Sequence, residues 1–301
     1  CAANENLLDA AMRQGIEMPY SCRKGVCGNC KGRVLPGDLV AGTQGGSHEA
    51  GIQQPDEHLF CRAQPVSDLS IAPKTWHRVD PSARKIVQAK VFKKIQLAPD
   101  VTQLQLRFPA GVRVKFKAGQ YLQVLLPDGA RRSYSMANAP HESDAVQLHI
   151  RNLPQGHFSE AMLTNLKVGD TLKLELPHGD FWLRDDSERP MLMVAGGTGF
   201  APIKSIVDHM LRQKMQRTVH VYWGARTAEG IYAADVLTRW AQQFPTLVVH
   251  PVLSDVTDAS SWHGRVGFVH QAVQADFKDL SGWDVYACGG MPMRSEEHTS
   301  E

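Results

Sequence analysis

Between residues 85 and about 184 the chain alternates strictly between apolar and polar positions. Leu104, Leu106 and Phe108 interleave with Gln105 and Arg107, and Val112, Val114 and Phe116 with Arg113 and Lys115. Val146, Leu148 and Ile150 interleave with Gln147, His149 and Arg151, and Leu172, Leu174 and Leu176 with Lys173 and Glu175. Period two sends successive side chains to opposite faces, so these runs predict half-buried antiparallel strands, and several at short spacing predict a barrel. After Pro190 the pattern becomes continuous. The runs MLMVA from 191, TVHVYW from 218, TLVVHPVL from 246 and WDVYAC from 283 predict strands buried on both faces. Between them, Ile203, Ile206, Val207, Met210 and Leu211 form a helical stripe, as do Val236, Leu237, Trp240, Ala241 and Phe244. Strands alternating with helices predict a doubly wound parallel sheet.

The first 72 residues have a different texture, glycine-rich and loop-heavy. One helix is predicted there, with Leu7, Leu8, Ala11 and Met12 on one face and Gly15 as its stop. Residues 73–84 (PKTWHRVDPSAR) carry two prolines and little periodicity and read as a linker. The division is therefore 1–72, a linker at 73–84, a barrel at 85–186 and a parallel-sheet domain at 187–293, with 294–301 as a tail.

Composition adds exclusions. With 33 Lys and Arg against 31 Asp and Glu, the formal charge is +2, which gives no broad basic field for nucleic acid. The longest apolar stretch, Met191 to Ile203, is broken by three glycines and is shorter than the roughly 20 residues needed to span a membrane. No charged segment followed by an apolar one opens the sequence, so a cytoplasmic protein is expected.

Cysteine usage supplies the first chemistry. Six cysteines stand at 1, 22, 27, 30, 61 and 288, and three fall within Cys22-Arg-Lys-Gly-Val-Cys27-Gly-Asn-Cys30. Four thiolates at 22, 27, 30 and 61 follow the Cys-x4-Cys-x2-Cys…Cys spacing of plant-type [2Fe-2S] proteins. Two irons bridged by two sulfides need four thiolates, and one winding loop can supply three while turning backbone N–H groups toward the sulfurs. Structural zinc is the alternative, but zinc ribbons pair two Cys-x2-Cys knuckles and only one is present. Through Tyr20 to Cys30 and Cys61 this segment resembles the plant-type ferredoxin family.

The barrel contains Arg132-Ser133-Tyr134-Ser135, followed by Met136-Ala137-Asn138. This is similar to the Arg-x-Tyr-Ser signature of the ferredoxin–NAD(P)H reductase family. The resemblance implies that Arg132 pairs with the FAD pyrophosphate, that Tyr134 packs on the isoalloxazine, and that Ser135 bonds near N5. His149-Ile150-Arg151 is similar to the strand lining the flavin in that family. Gly156-His157-Phe158-Ser159 is similar to its phosphate-binding turn. Taken singly, Tyr134 reads as a strand aromatic and Arg132 as a surface charge; the set in register favours the flavin.

In the third segment, Met191–Ala195 runs into Gly196-Gly197-Thr198-Gly199-Phe200-Ala201-Pro202 and then a helix. A strand, a glycine turn and a helix N-terminus make a pyrophosphate cradle. This form again resembles the reductase family, as does Cys288-Gly289-Gly290-Met291-Pro292-Met293, where Gly290 replaces the usual proline. By that resemblance Cys288 lies beside the nicotinamide and shares catalysis with Ser135. Taken alone, it reads as a buried strand cysteine. Arg226, with Glu229 nearby, stands where a ribose 2′-group would be read and leaves NADH and NADPH open, although members with this domain order mostly use NADH.

The order of the three segments resembles the reductase components of aromatic-ring-hydroxylating dioxygenases, of terephthalate and naphthalene type. It implies a β-grasp-like ferredoxin, an antiparallel six-stranded flavin barrel and a doubly wound nucleotide domain. The implied function is transfer of electrons from NADH to FAD to [2Fe-2S], and then to an oxygenase component or an intermediary Rieske ferredoxin. Reductases of diiron monooxygenases or deoxysugar dehydratases share the modules, and a non-catalytic redox sensor or carrier is the alternative of another class. Against that family, both ends read as truncated. The opening hairpin of the ferredoxin is largely missing before Leu7, and 294–301 (RSEEHTSE) reads as a non-native tail that packs against nothing.

Overall fold

The structure is a computed structural model that describes residues 1–2, 4–20, 23, 25, 28–40, 56–78, 84–152, 163–256 and 262–290. The chain divides into two compact units, one built from Cys1–Arg84 and one from Lys85–Gly290.

In the first unit, α1 (Leu7–Arg13) buries Leu7, Leu8, Ala10 and Ala11. Its N-terminus is capped by the Asn6 side chain, which accepts from the Asp9 N–H. Strand β1 (Ile16–Glu17) follows Gly15, whose φ of +72° permits the turn. Strands β2 (Lys31–Val34), β3 (Glu57–Leu59) and β4 (Ile71–Pro73) form an antiparallel sheet in the order β3-β2-β4. The segment read as a linker is not featureless. Strand β5 (His77–Arg78) pairs antiparallel with β1, and Arg84 forms an ion pair with the buried Glu17. A buried carboxylate needs such a partner, so the pairing follows from Glu17 rather than from local pattern.

In the second unit, β6 (Lys85–Ala98), β7 (Val101–Arg107), β8 (Tyr121–Leu125), β9 (Arg131–Ser135), β10 (Ala145–Arg151) and β11 (Thr171–His178) form one antiparallel sheet. A short helix, α2 (Leu163–Asn165), precedes β11. The strand order is β10-β7-β6-β11-β8-β9. An antiparallel bridge between Met136 and Leu148 brings its two ends together, so the six strands close as the alternation predicts. Val87, Leu104, Leu106, Leu122, Val124, Leu148, Ile150 and Leu174 fill the interior. One expected strand is absent. Val112, Val114 and Phe116 alternate but form no strand, and the Val114 N–H donates to the Ser143 carbonyl across a loop. Val114 and Phe116 are nevertheless buried, so the alternation records their burial and not a ladder.

The remaining residues form a five-stranded parallel sheet from β12 (Met191–Gly196), β13 (Val219–Ala225), β14 (Leu247–Leu253), β15 (Arg265–Val266) and β16 (Asp284–Cys288). The order is β15-β14-β13-β12-β16, flanked by α3 (Phe200–Gln213), α4 (Ala234–Gln243) and α5 (Val269–Asp276). Strands β12 and β13 are buried as expected. Strands β14 and β16 are less enclosed than their apolar runs predict, with Val248 45% and Val285 49% exposed. The strand order reverses between β12 and β16, and this switch point is where ligands bind in open parallel sheets.

Candidate functional site

Two strand ends meet at the switch point. Beyond β12, Gly197–Gly199 form one 3-10 turn that leads directly into α3. Gly197 has φ +52°, and neither the turn nor α3 has a side-chain cap at its N-terminus. The backbone N–H groups there have no intrahelical acceptor, which suits an anionic ligand. On the other side, β16 delivers Cys288, Gly289 and Gly290. A Cβ at Gly199 would lie 1.9 Å from the Cys288 carbonyl oxygen, so the turn and the strand end touch backbone to backbone.

Below the turn lies an aromatic stack. The rings of Phe200 and Trp223 are 3.8 Å apart and nearly parallel, and the Trp223 Nε1–H donates to the Gly197 carbonyl at 3.0 Å. Tyr232 meets both rings edge to face. The Arg151 guanidinium, from β10 of the barrel, reaches the same turn: a Cβ at Gly197 would lie 2.9 Å from its Nη2. Arg151 also pairs with Asp100 at 3.2 Å. Arg226 is 80% exposed just past β13 and pairs loosely with Asp255 at 3.5 Å.

The barrel presents the other half of the site. In β9, Arg132 and Tyr134 share one face, opposite Val124 and Leu122 of β8, while Ser133 and Ser135 lie on the other. Among the described residues Arg132 has no carboxylate partner; its guanidinium donates to the Arg131 carbonyl. Tyr134 packs on the barrel interior, and burial pushes its hydroxyl up to about 12 despite the Arg132 charge. Along the register of the Met136–Leu148 bridge, Ser135 falls opposite His149 of β10. His149 is buried, and desolvation, aided by the Lys204 charge, holds it down to about 3, so it is neutral.

Contacts just after β9 fix these halves against each other. Ser205 of α3 donates to the Asn138 carbonyl at 2.7 Å, and Lys204 donates to the Ala137 carbonyl at 3.1 Å. The helix that starts at the glycine turn is thus fastened to the segment that continues Arg132–Ser135.

The groups expected here fit the residues present. For a flavin and a dinucleotide, the barrel offers an arginine and a buried His149 Nε2 that have, among the described residues, no acid and no partner respectively, and the sheet offers an uncapped helix N-terminus. For the cluster, Cys30 and Cys61 are buried and hydrogen-bonded to each other, and that bond together with the Gly25 N–H and the Arg62 charge lowers the Cys61 thiol to about 7. The connecting loop takes left-handed backbone at Arg23, Gly25 and Gly28, as a chain wrapping a compact ligand requires. Cys22, Cys27, Gly156, His157, Phe158, Ser159, Met291 and the tail 294–301 lie outside the described residues. Tyr232 carried no motif, Phe200 stands at an unassigned position of the glycine-turn motif, and Trp223 lies within the apolar run of β13, so nothing local announced that the three rings stack beneath the turn.

The sequence matches three domain families: 2Fe-2S iron-sulfur cluster binding domain over residues 1–66, oxidoreductase FAD-binding domain over 88–182 and oxidoreductase NAD-binding domain over 193–298. It is 44% identical over 289 residues to the reductase component 2 of terephthalate 1,2-dioxygenase from Comamonas sp, covering 96% of this chain and 85% of that protein. The chain belongs to the ferredoxin–NAD(P)H reductase family with an N-terminal [2Fe-2S] domain. This reductase is also 36% identical over 287 residues to the CDP-6-deoxy-L-threo-D-glycero-4-hexulose-3-dehydrase reductase of Yersinia pestis, covering 95% of this chain and 85% of that one. Among solved structures it is similar to the Amycolatopsis cytochrome P450 reductase GcoB, with TM-score 0.77 and 30% identity over 100% of this chain and 92% of that one. It is an NAD(P)H-dependent oxidoreductase using FAD and a [2Fe-2S] cluster, and it works as the electron-transfer component of a larger system. Among the described residues no helix is long and apolar enough to cross a membrane.

Proposed function

We propose that this reductase draws electrons from NADH and delivers them singly to the oxygenase component, or an intermediary Rieske ferredoxin, of a cytoplasmic aromatic-ring-hydroxylating dioxygenase of terephthalate type. Bound FAD would take a hydride with its two electrons and release them singly, and the [2Fe-2S] cluster would carry them onward. One observation carries the catalytic part: Lys204 and Ser205 of α3 bond the carbonyls of Ala137 and Asn138. A hydride moves only between partners held in contact. These bonds set the helix of the glycine turn against the continuation of β9, where the flavin signature stands.

In this reading Arg132 anchors the flavin phosphates, with Ser133 beside it, Tyr134 walls the ring, and Ser135 bonds near its reacting nitrogen. His149 and Arg151 line the ring from β10, with only the backbone of Ile150 between them because its side chain fills the barrel, and Gly156, His157, Phe158 and Ser159 add a phosphate turn. Gly197, Thr198 and Gly199 cradle the nucleotide pyrophosphate, and Cys288, Gly289, Gly290 and Met291 border the nicotinamide. Arg226 borders the adenosine ribose, and Cys22, Cys27, Cys30 and Cys61 ligate the cluster. The partner rests on likeness to the terephthalate reductase component. Likeness to the Yersinia dehydrase reductase supports a deoxysugar dehydratase as the second acceptor. Reconstitution separates them. NADH-driven product formation with a purified terephthalate-type oxygenase supports the first reading, whereas turnover with a dehydratase alone would replace it.

A further inference from the structure

His149 occupies an unusual place on β10. Its neighbours Leu148 and Ile150 point into the barrel, so His149 faces the other way, yet it is only 5% exposed. Its cover includes Tyr232, which follows β13 in the nucleotide-binding part. The two rings meet edge to face at 5.4 Å, and His149 Nδ1 lies 3.2 Å from the Tyr232 hydroxyl.

Donor counting assigns the protons. Tyr232 is itself buried, which raises its hydroxyl far above its ordinary range, so it keeps its proton. Among the described residues that proton has no acceptor other than Nδ1. Were Nδ1 the donor, the tyrosine proton would be stranded, and buried donors are rarely left so. The hydroxyl therefore donates to Nδ1, and the neutral ring carries its proton on Nε2. That nitrogen is buried and has no partner among the described residues. The register places His149 opposite Ser135, at the end of the flavin signature.

We propose that Tyr232 sets the tautomer of His149 so that the Nε2–H donates a hydrogen bond to an acceptor atom of the flavin ring. Tyr232 is then a positioning residue that acts through His149. Its own orientation is set by the edge-to-face contacts with Phe200 and Trp223, the rings beneath the nucleotide turn. The proposal rests on reading β9 and β10 as flavin-lining strands.

The experiment uses the full chain with bound FAD. Nitrogen-15 NMR of histidine should show His149 protonated at Nε2 in wild type and as mixed tautomers in Tyr232→Phe. FAD release should accelerate about tenfold in His149→Leu, with a shifted visible flavin band. His149→Gln, which retains an N–H donor, should recover much of the wild-type band. A proton on Nδ1 in wild type, or an unchanged band and release rate in His149→Leu, would overturn the assignment. A wild-type protein that takes up no FAD would overturn the flavin reading itself.

Discussion

Gly199 and Cys288 are in backbone contact: no side chain fits at Gly199, because its Cβ would lie 1.9 Å from the Cys288 carbonyl oxygen. The glycine turn after β12 and the end of β16 are thereby held as one surface. Gly199→Ala must push them apart, and overpacking of that kind costs about 1–3 kcal/mol. The KM for NADH should rise about tenfold to hundredfold in this variant, while FAD content stays at the wild-type level. An unchanged KM would show that the contact does not shape the nucleotide site.

Among the described residues Arg132 has no acid to neutralise it, so its charge is available to a phosphate. Arg132→Ala should weaken FAD binding by about 1.5–3 kcal/mol, a tenfold to hundredfold loss. Equilibrium dialysis of the variant decides this, and retention as tight as wild type would remove Arg132 from the phosphate site.

Cys22→Ser should abolish the acid-labile sulfide and the reduction of cytochrome c. Reduction of ferricyanide, which takes electrons at the flavin, should persist. Equal loss of both activities would mean that the substitution unfolds more than the cluster loop.

The three signatures were legible because each is local. Cys22–Cys30, Arg132–Ser135 and Gly196–Pro202 each state their chemistry within a dozen residues, and the strands of the second unit carry most of the expected periods. What escaped depends on residues far apart in sequence. Tyr232 lies 83 residues from His149, and no local pattern joins them. His77 and Arg78 pair with β1 because a strand edge there needs partners, which a proline-rich stretch does not advertise. Val112–Phe116 shows the converse. Alternation reports which side chains are buried, and a loop lying against the barrel, with Val114 and Phe116 turned inward and Arg113 and Lys115 exposed, obeys it without hydrogen-bonding as a strand.

Neutral His149 makes the second unit sensitive to acid. Burial lowers it from 6.5 to about 3, so below pH 6.5 the unfolded chain binds a proton that the folded chain refuses. Stability from this group is fully present above pH 6.5 and is lost as pH falls toward 3, at about 1.4 kcal/mol per unit. Denaturant melts of His149→Leu should show a shallower acid slope than wild type. Parallel slopes would mean that another group controls the acid limb.

Arg226 is exposed and tethered by Asp255 alone among the described residues. Asp255→Ala should release the guanidinium toward a 2′-phosphate. The ratio of kcat/KM for NADPH over NADH should then rise by about twofold to fivefold, the range of an exposed ion pair. A constant ratio would place the ribose elsewhere.

Trp223 donates its indole proton to Gly197, in the glycine turn after β12, and lies flat on Phe200. An indole's emission follows the hydrogen bond it makes and the ring it lies against. The protein therefore carries a built-in optical gauge at its own glycine turn. Trp223 is one of six tryptophans, so a movement of that turn is read in real time, without a label, from the emission that Trp223→Phe removes.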